Sequence, residues 1–295
     1  MNQNETQKPL WIFYGTDKDV SVTVLNVLKE EGFVPTLIVT VPDKEQGRKM
    51  ELTPSSVKEW ALAQSITLLQ PEKLDANFLQ TLKQNSDQSG PKQQFSFALT
   101  ASYGLLIPKN ILELPTHGTF NLHPSLLPKY RGATPAETAI LADDKNTGVT
   151  IIKMDEGLDS GPIVATEQVS FEEWPTKPEV LRKLAEKGAE AFVKIIPNIL
   201  DNTLKLEEQN ESLATFCYKI SKEDGLIDLN DDQRKNFLKT QAYAPWPSTF
   251  FFATDKKIRV KITEAKWQDN KFMITKVIPE GKKEMSYETF LASLN

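Results

Sequence analysis

The feature that most constrains this chain is an alternation. Short apolar, β-branched runs at residues 10–14, 34–41 and 95–100 alternate with stretches at 16–31, 55–64 and 73–84 whose apolar residues recur at helical spacing. A strand buried on both faces reads as a continuous apolar run, and a helix packed on one side reads as a stripe three and four residues apart. Leu10-Trp11-Ile12-Phe13-Tyr14, running into Gly15, is of the first kind; Val20, Val24, Leu25, Val27 and Leu28 are of the second. Strand, helix and strand in that order imply right-handed crossovers and an α/β fold, with a mainly parallel sheet and helices on both faces. Residues 118–122 add a strand, 148–153 and 163–169 a pair of strands, and 178–200 a long amphipathic helix. Thr134-Pro135-Ala136-Glu137 predicts a helix to about Leu141, with Thr134 and Glu137 forming a capping box and proline in the first turn. Residues 83–94 are polar and glutamine-rich and read as a surface loop.

The character changes after residue 200. Residues 201–212 are polar and read as a linker, 231–242 as one helix, and 249–285 as closely spaced β-prone runs, the pattern of a small barrel. We place the boundary near residue 205, giving domains 1–204 and 205–295. A chain of 295 residues suits two domains.

Composition excludes several classes. The single cysteine, Cys217, permits no internal disulfide, and in its apolar run it reads as a small buried hydrophobe. One cysteine and two histidines make a zinc site an unpromising expectation, and no metal is assigned. No Gly-x-Gly-x-x-Gly follows the first strand, and there is no Walker-type loop or Gly-x-Ser-x-Gly elbow. The polar first residues and the lack of a long apolar segment predict a cytoplasmic chain with no membrane partner. A net charge of −5 argues against a coat of nucleic-acid-binding charge, although residues 249–295 carry nine Lys or Arg against six Asp or Glu.

Three segments carry possible chemistry. Asn121 and His123 end a strand two residues apart, so both side chains project from one face. An amide can donate to a developing oxyanion and an imidazole can move a proton, and open α/β sheets hold ligands beyond their strands' carboxyl ends. Asn-x-His alone is a weak pattern, and on spacing alone it is better read as finishing a strand and capping the turn. Pro124 and Pro128 stiffen the loop that follows, and Ser125-Leu126-Leu127 between them could wall a pocket for a flat heterocycle. The second segment, Asp155-Glu156-Gly157-Leu158-Asp159-Ser160-Gly161-Pro162, is turn-rich; Asp159 could orient an imidazole or, more commonly, form an Asx turn. The third is the loop 42–54, where Arg48 and Lys49 beside Gly47 could reach a phosphate backbone.

Taken together, these segments resemble the folate-dependent formyltransferases. Asn121-Leu122-His123-Pro124-Ser125-Leu126-Leu127-Pro128-Lys129-Tyr130-Arg131-Gly132 is similar to their signature, and Gly157-Leu158-Asp159-Ser160-Gly161-Pro162 to their second motif. The resemblance implies a Rossmann-like first domain, a small C-terminal OB-like barrel, and 10-formyltetrahydrofolate as the formyl donor. It implies Asn121, His123 and Asp159 as the catalytic trio, and Tyr103, Gly104, Ser125, Leu126, Leu127 and Pro128 at the folate site. The loop around Arg48, the run Lys219-Ile220-Ser221-Lys222-Glu223-Asp224-Gly225, and Ala244-Pro245-Trp246-Pro247 resemble the branch whose acceptor is methionyl initiator tRNA. That branch implies Arg48 and Lys49 on the tRNA, translation initiation as the setting, and a monomer. Amino-sugar formyltransferases and an inactive folate- or tRNA-binding protein are the alternatives. Asp17-Lys18-Asp19 departs from the family's usual Pro-Asp-Phe, which bears on the methionyl pocket.

Overall fold

The computed structural model describes residues 9–46, 50–87, 94–253 and 258–294. In chain order the elements are β1 (Trp11–Gly15), α1 (Thr23–Glu30), β2 (Leu37–Val39), β3 (Lys44–Gln46), β4 (Glu51–Thr53), α2 (Ser56–Ala63), β5 (Thr67–Leu69), α3 (Ala76–Asp87), β6 (Phe97–Ala101), α4 (Lys109–Leu112) and β7 (Thr119–His123). Then follow α5 (Pro135–Leu141), β8 (Asn146–Lys153), β9 (Ile163–Ser170), α6 (Lys177–Leu200), α7 (Gln233–Ala242), β10 (Phe250–Ala253), β11 (Ile258–Gln268), β12 (Lys271–Pro279), β13 (Met285–Ser286) and α8 (Tyr287–Ala292).

Seven strands form one sheet in the order β5-β2-β1-β6-β7-β8-β9. Strands β5, β2, β1, β6 and β7 run parallel, and β8 is antiparallel to β7. The chain builds from β1 towards one edge through β2 and β5, then returns to β6 on the other side of β1. Such a reversal opens a crevice at the strands' carboxyl ends. On one face, Phe192 of α6 meets Phe97 and Phe120 edge-on at 5.7 and 5.9 Å. All three rings are fully buried, each worth about 1.5–3 kcal/mol by transfer. On the other face Ile12, Tyr14, Leu37, Val39 and Ala98 pack with Phe78 and Leu82 of α3.

By contacts the chain divides into two compact units: 1–128 with 148–167 and 182–214, and 129–147 with 168–181 and 215–295. In the second, β10-β11-β12-β13 form a four-stranded antiparallel sheet over a core of Phe251, Val260, Ile262, Val277 and Phe290. Register shifts on either side of Glu264 mark a bulge in β11. The Arg234 guanidinium binds Asp143 at 2.7 Å and Glu173 at 2.8 Å and lies over the Phe237 and Trp267 rings.

Four local expectations are corrected. The capping box at Thr134 does not form: the Thr134 hydroxyl donates to the Tyr218 carbonyl, and Glu137 pairs with Lys177 at 3.1 Å. The first helix is capped at Asp17, which accepts from the Val20 N–H at 2.7 Å, and a wide turn over Lys18–Val22 leads into α1. The segment 201–212 is no plain linker, because Glu207 and Ile163 exchange backbone hydrogen bonds at 2.9 and 2.7 Å. Cys217 is half-buried, and its thiol donates to the Tyr130 carbonyl at 3.2 Å. Burial raises that thiol's pKa. Among the described residues no helix is long and apolar enough to cross a membrane.

Candidate active site

Strand β7 exists because Phe120 and Leu122 are buried on the α6 side, which turns Thr119, Asn121 and His123 to the opposite face. Asn121 lies beside Thr100 of β6 in the parallel register. The Thr100 hydroxyl donates to Asn121 Oδ1 at 3.0 Å. With its carbonyl oxygen engaged, the amide keeps its N–H₂ group as a donor.

His123 is 3% exposed at the carboxyl end of β7. Its Nδ1 stands 3.6 Å from Asp159 Oδ2, longer than a hydrogen bond. Catalytic contacts of this kind commonly tighten when substrate binds. The structure thus brings Asn121, His123 and Asp159 together, although Asp159 is remote in sequence.

How Asp159 reaches this place is a matter of its loop. The Asx-turn role belongs to Asp155, whose carboxylate accepts from the Gly157 N–H at 2.9 Å and the Ser160 hydroxyl at 3.0 Å. Glu156 pairs with Lys109 at 3.3 Å, as a surface charge. Asp159 itself has φ of +50°, a left-handed conformation that aspartate tolerates better than most residues. Gln209 fixes the loop from below: its Nε2 donates to the Asp159 and Gly161 carbonyls, both at 2.8 Å. At Gly161 any Cβ would collide with the Lys153 carbonyl oxygen, so the loop can lie this close to β8 only with glycine.

The loop after β7 is held just as firmly. The Thr150 hydroxyl donates to the Ser125 carbonyl at 2.7 Å and accepts from the Leu127 N–H at 3.1 Å. Ser125 and Leu127 are buried, while Leu126 and Pro128 are half-buried. A side chain at position 148 would strike Leu126, so Gly148 makes room for it. From β6, Tyr103 and Gly104 follow at the same edge. The Tyr103 hydroxyl is buried without a hydrogen-bond partner, and burial pushes its pKa up to about 12. Around Gly104 there is open space, and Leu105 and Leu106 beside it are exposed. An orphaned hydroxyl, an open glycine and exposed leucines suit an uncharged heterocycle with polar edges.

Sequence reasoning missed Thr100, Thr150 and Gln209. Each acts across strands or from a distant segment, and nothing local in the sequence signals it. Arg48 and Lys49 lie outside the described residues; their loop is flanked by β3 and β4, which pair antiparallel, with Met50 and Leu52 exposed. Asp17 and Asp19, which departed from the family pattern, have structural partners: Asp17 caps the first helical turn and Asp19 pairs with Arg182 at 2.7 Å.

The sheet carries an amide, an imidazole and a carboxylate together at its carboxyl edge, where open α/β sheets hold ligands. Residues 10–196 match the formyl transferase family and 219–272 its C-terminal domain. The chain belongs to the formyl transferase family. It is 35% identical to the methionyl-tRNA formyltransferase of Thermodesulfovibrio yellowstonii, over 95% of this chain and 94% of that protein. In fold it resembles the methionyl-tRNA formyltransferase of Clostridium thermocellum, with a TM-score of 0.62, 17% identity, and 92% and 98% of the two chains covered. It also resembles an N-formyltransferase from Helicobacter canadensis solved with folinic acid and dTDP-3-aminofucose, with a TM-score of 0.61, 18% identity, and 94% and 98% covered.

Proposed function

We propose that this chain transfers the formyl group of 10-formyltetrahydrofolate to the α-amino group of methionyl initiator tRNA, the formylation that precedes translation initiation. The observation that carries the chemistry is the approach of His123 to Asp159 at 3.6 Å on the strand that also carries Asn121, whose carbonyl oxygen is engaged by Thr100. The acceptor is supported by the full-length similarity to a methionyl-tRNA formyltransferase and by the C-terminal domain match.

The neutral amine attacks the formyl carbon, and Asn121 donates to the oxygen as negative charge develops on it. His123, held by Asp159, takes the proton released by the amine, and N10 of the folate leaves with a proton as its bond to the formyl carbon breaks. Tyr103, Gly104 and the 125–128 loop border the folate, with Ser125 and Leu127 acting by anchoring the loop. Arg48 and Lys49 engage tRNA phosphates. In this reading residues 1–204 carry the chemistry, 205–295 form the OB-like second domain, and the enzyme acts as a cytoplasmic monomer.

The test is to supply 10-formyltetrahydrofolate together with methionyl-tRNA or an amino-sugar nucleotide. Formyl-methionyl-tRNA is the expected product; a formylated sugar with untouched methionyl-tRNA would overturn the assignment. Arg48→Ala should weaken tRNA affinity and flatten its salt dependence by about one phosphate contact, with folate binding unchanged.

A further inference from the structure

Across the sheet, Tyr14, Thr100, Asn121 and Ile152 stand in register on β1, β6, β7 and β8. Their side chains therefore project from one face. Thr100 and Asn121 are an adjacent polar pair flanked by Tyr14 and Ile152. Thr100 is only 5% exposed, and Asn121 Oδ1 is the acceptor its hydroxyl meets at 3.0 Å.

We propose that Thr100 is a positioning residue for formyl transfer, fixing which end of the Asn121 amide faces the reacting carbonyl. A side-chain amide can sit either way round in one shape of site, but only its N–H₂ end stabilises an oxyanion. The carbonyl end would repel it. Thr100 breaks that symmetry. With Oδ1 towards Thr100, the hydroxyl proton has its acceptor; with the amide reversed, the hydroxyl must accept from the N–H₂ group, and its own proton loses that acceptor. A buried donor left unsatisfied costs enough to bias the two orientations by roughly tenfold or more. A valine at this place would fill the same shape and leave both orientations open.

The inference rests on the assignment of Asn121 as oxyanion donor, and the experiment separates the two. Steady-state formylation is measured for Thr100→Val, Thr100→Ser, Asn121→Ala and the double variant Thr100→Val/Asn121→Ala, with melting temperatures to verify folding. We expect Thr100→Val to lower kcat about twofold, the drop from a fixed to an evenly split amide, with KM for both substrates nearly unchanged. Thr100→Ser, which keeps the hydroxyl, should restore most of the rate. The double variant should be no slower than Asn121→Ala, because the threonine acts only through the amide. Wild-type speed in Thr100→Val beside a slow Asn121→Ala would overturn the proposal, as would equal loss in the valine and serine variants or additive losses in the double. Full speed in Asn121→Ala would remove the oxyanion assignment itself, and the role of Thr100 with it.

Discussion

The chain's two histidines stand at opposite ends of strand β7 and share little beyond residue type. His117 precedes the strand at its amino end, half-buried, with its backbone N–H on the Ser96 carbonyl at 2.8 Å. Burial, and after it the Lys153 charge, hold its imidazole below the ordinary value of 6.5. His123 closes the strand at its carboxyl end, buried and facing a carboxylate 3.6 Å away. Both are held by the same strand, so their difference is one of edge. The carboxyl edge gathers loops from β1, β6 and β7 around the switch point.

That comparison can be broken by experiment. The largest contrast is expected between His123→Asn and His117→Asn: the first should lose about 10²–10⁴ in formylation rate, the typical worth of a general acid-base group, and the second should stay near wild type. Comparable losses would dissolve the distinction. Next comes Asn121→Ala, at about 10²–10³ in kcat for one lost oxyanion donor. Asp159→Asn should lose on the order of 10², and combined with His123→Asn it should add little, since the two act as a unit; additive losses would separate their roles. Tyr103→Phe removes a buried hydroxyl without a partner, so urea denaturation should show stability unchanged or raised by about 1 kcal/mol. A raised KM for the folate would place that hydroxyl against the donor. The smallest effect concerns His117 and pH. Its folded form binds a proton less readily than the unfolded chain does, so stability is complete above 6.5 and declines as pH falls below it. His117→Gln should flatten that part of the denaturation profile; an unchanged slope would assign the decline to other groups.

The parallel sheet was legible because its strands are buried on both sides, which writes them as unbroken apolar runs such as Trp11–Gly15. The three-residue edge strand Thr67–Leu69 is half exposed and leaves no such trace. Asn121 and His123 were legible as a pair because two-residue spacing fixes their common face, and Asp159 because its motif resembled the family's. The Thr134 box was misread because its hydroxyl is engaged by the Tyr218 carbonyl, a contact between residues 84 apart. Thr100 and Gln209 were invisible for the same reason: their partners lie 21 and 50 residues away and depend on which strands become neighbours. The grouping of 129–147 and 168–181 with the C-terminal residues, which no composition shift announces, is likewise a product of folding.

For anyone remodelling this protein to accept a different amine, the contact of Gly161 with the Lys153 carbonyl sets a practical boundary. Libraries drawn through the loop of Asp159 can vary the exposed Glu156 and Leu158, whose side chains face water. They should leave position 161 untouched, because a methyl group there would lift the loop from β8 and carry the carboxylate away from its histidine. The tip of this loop is open to substitution, while its base is pinned against β8.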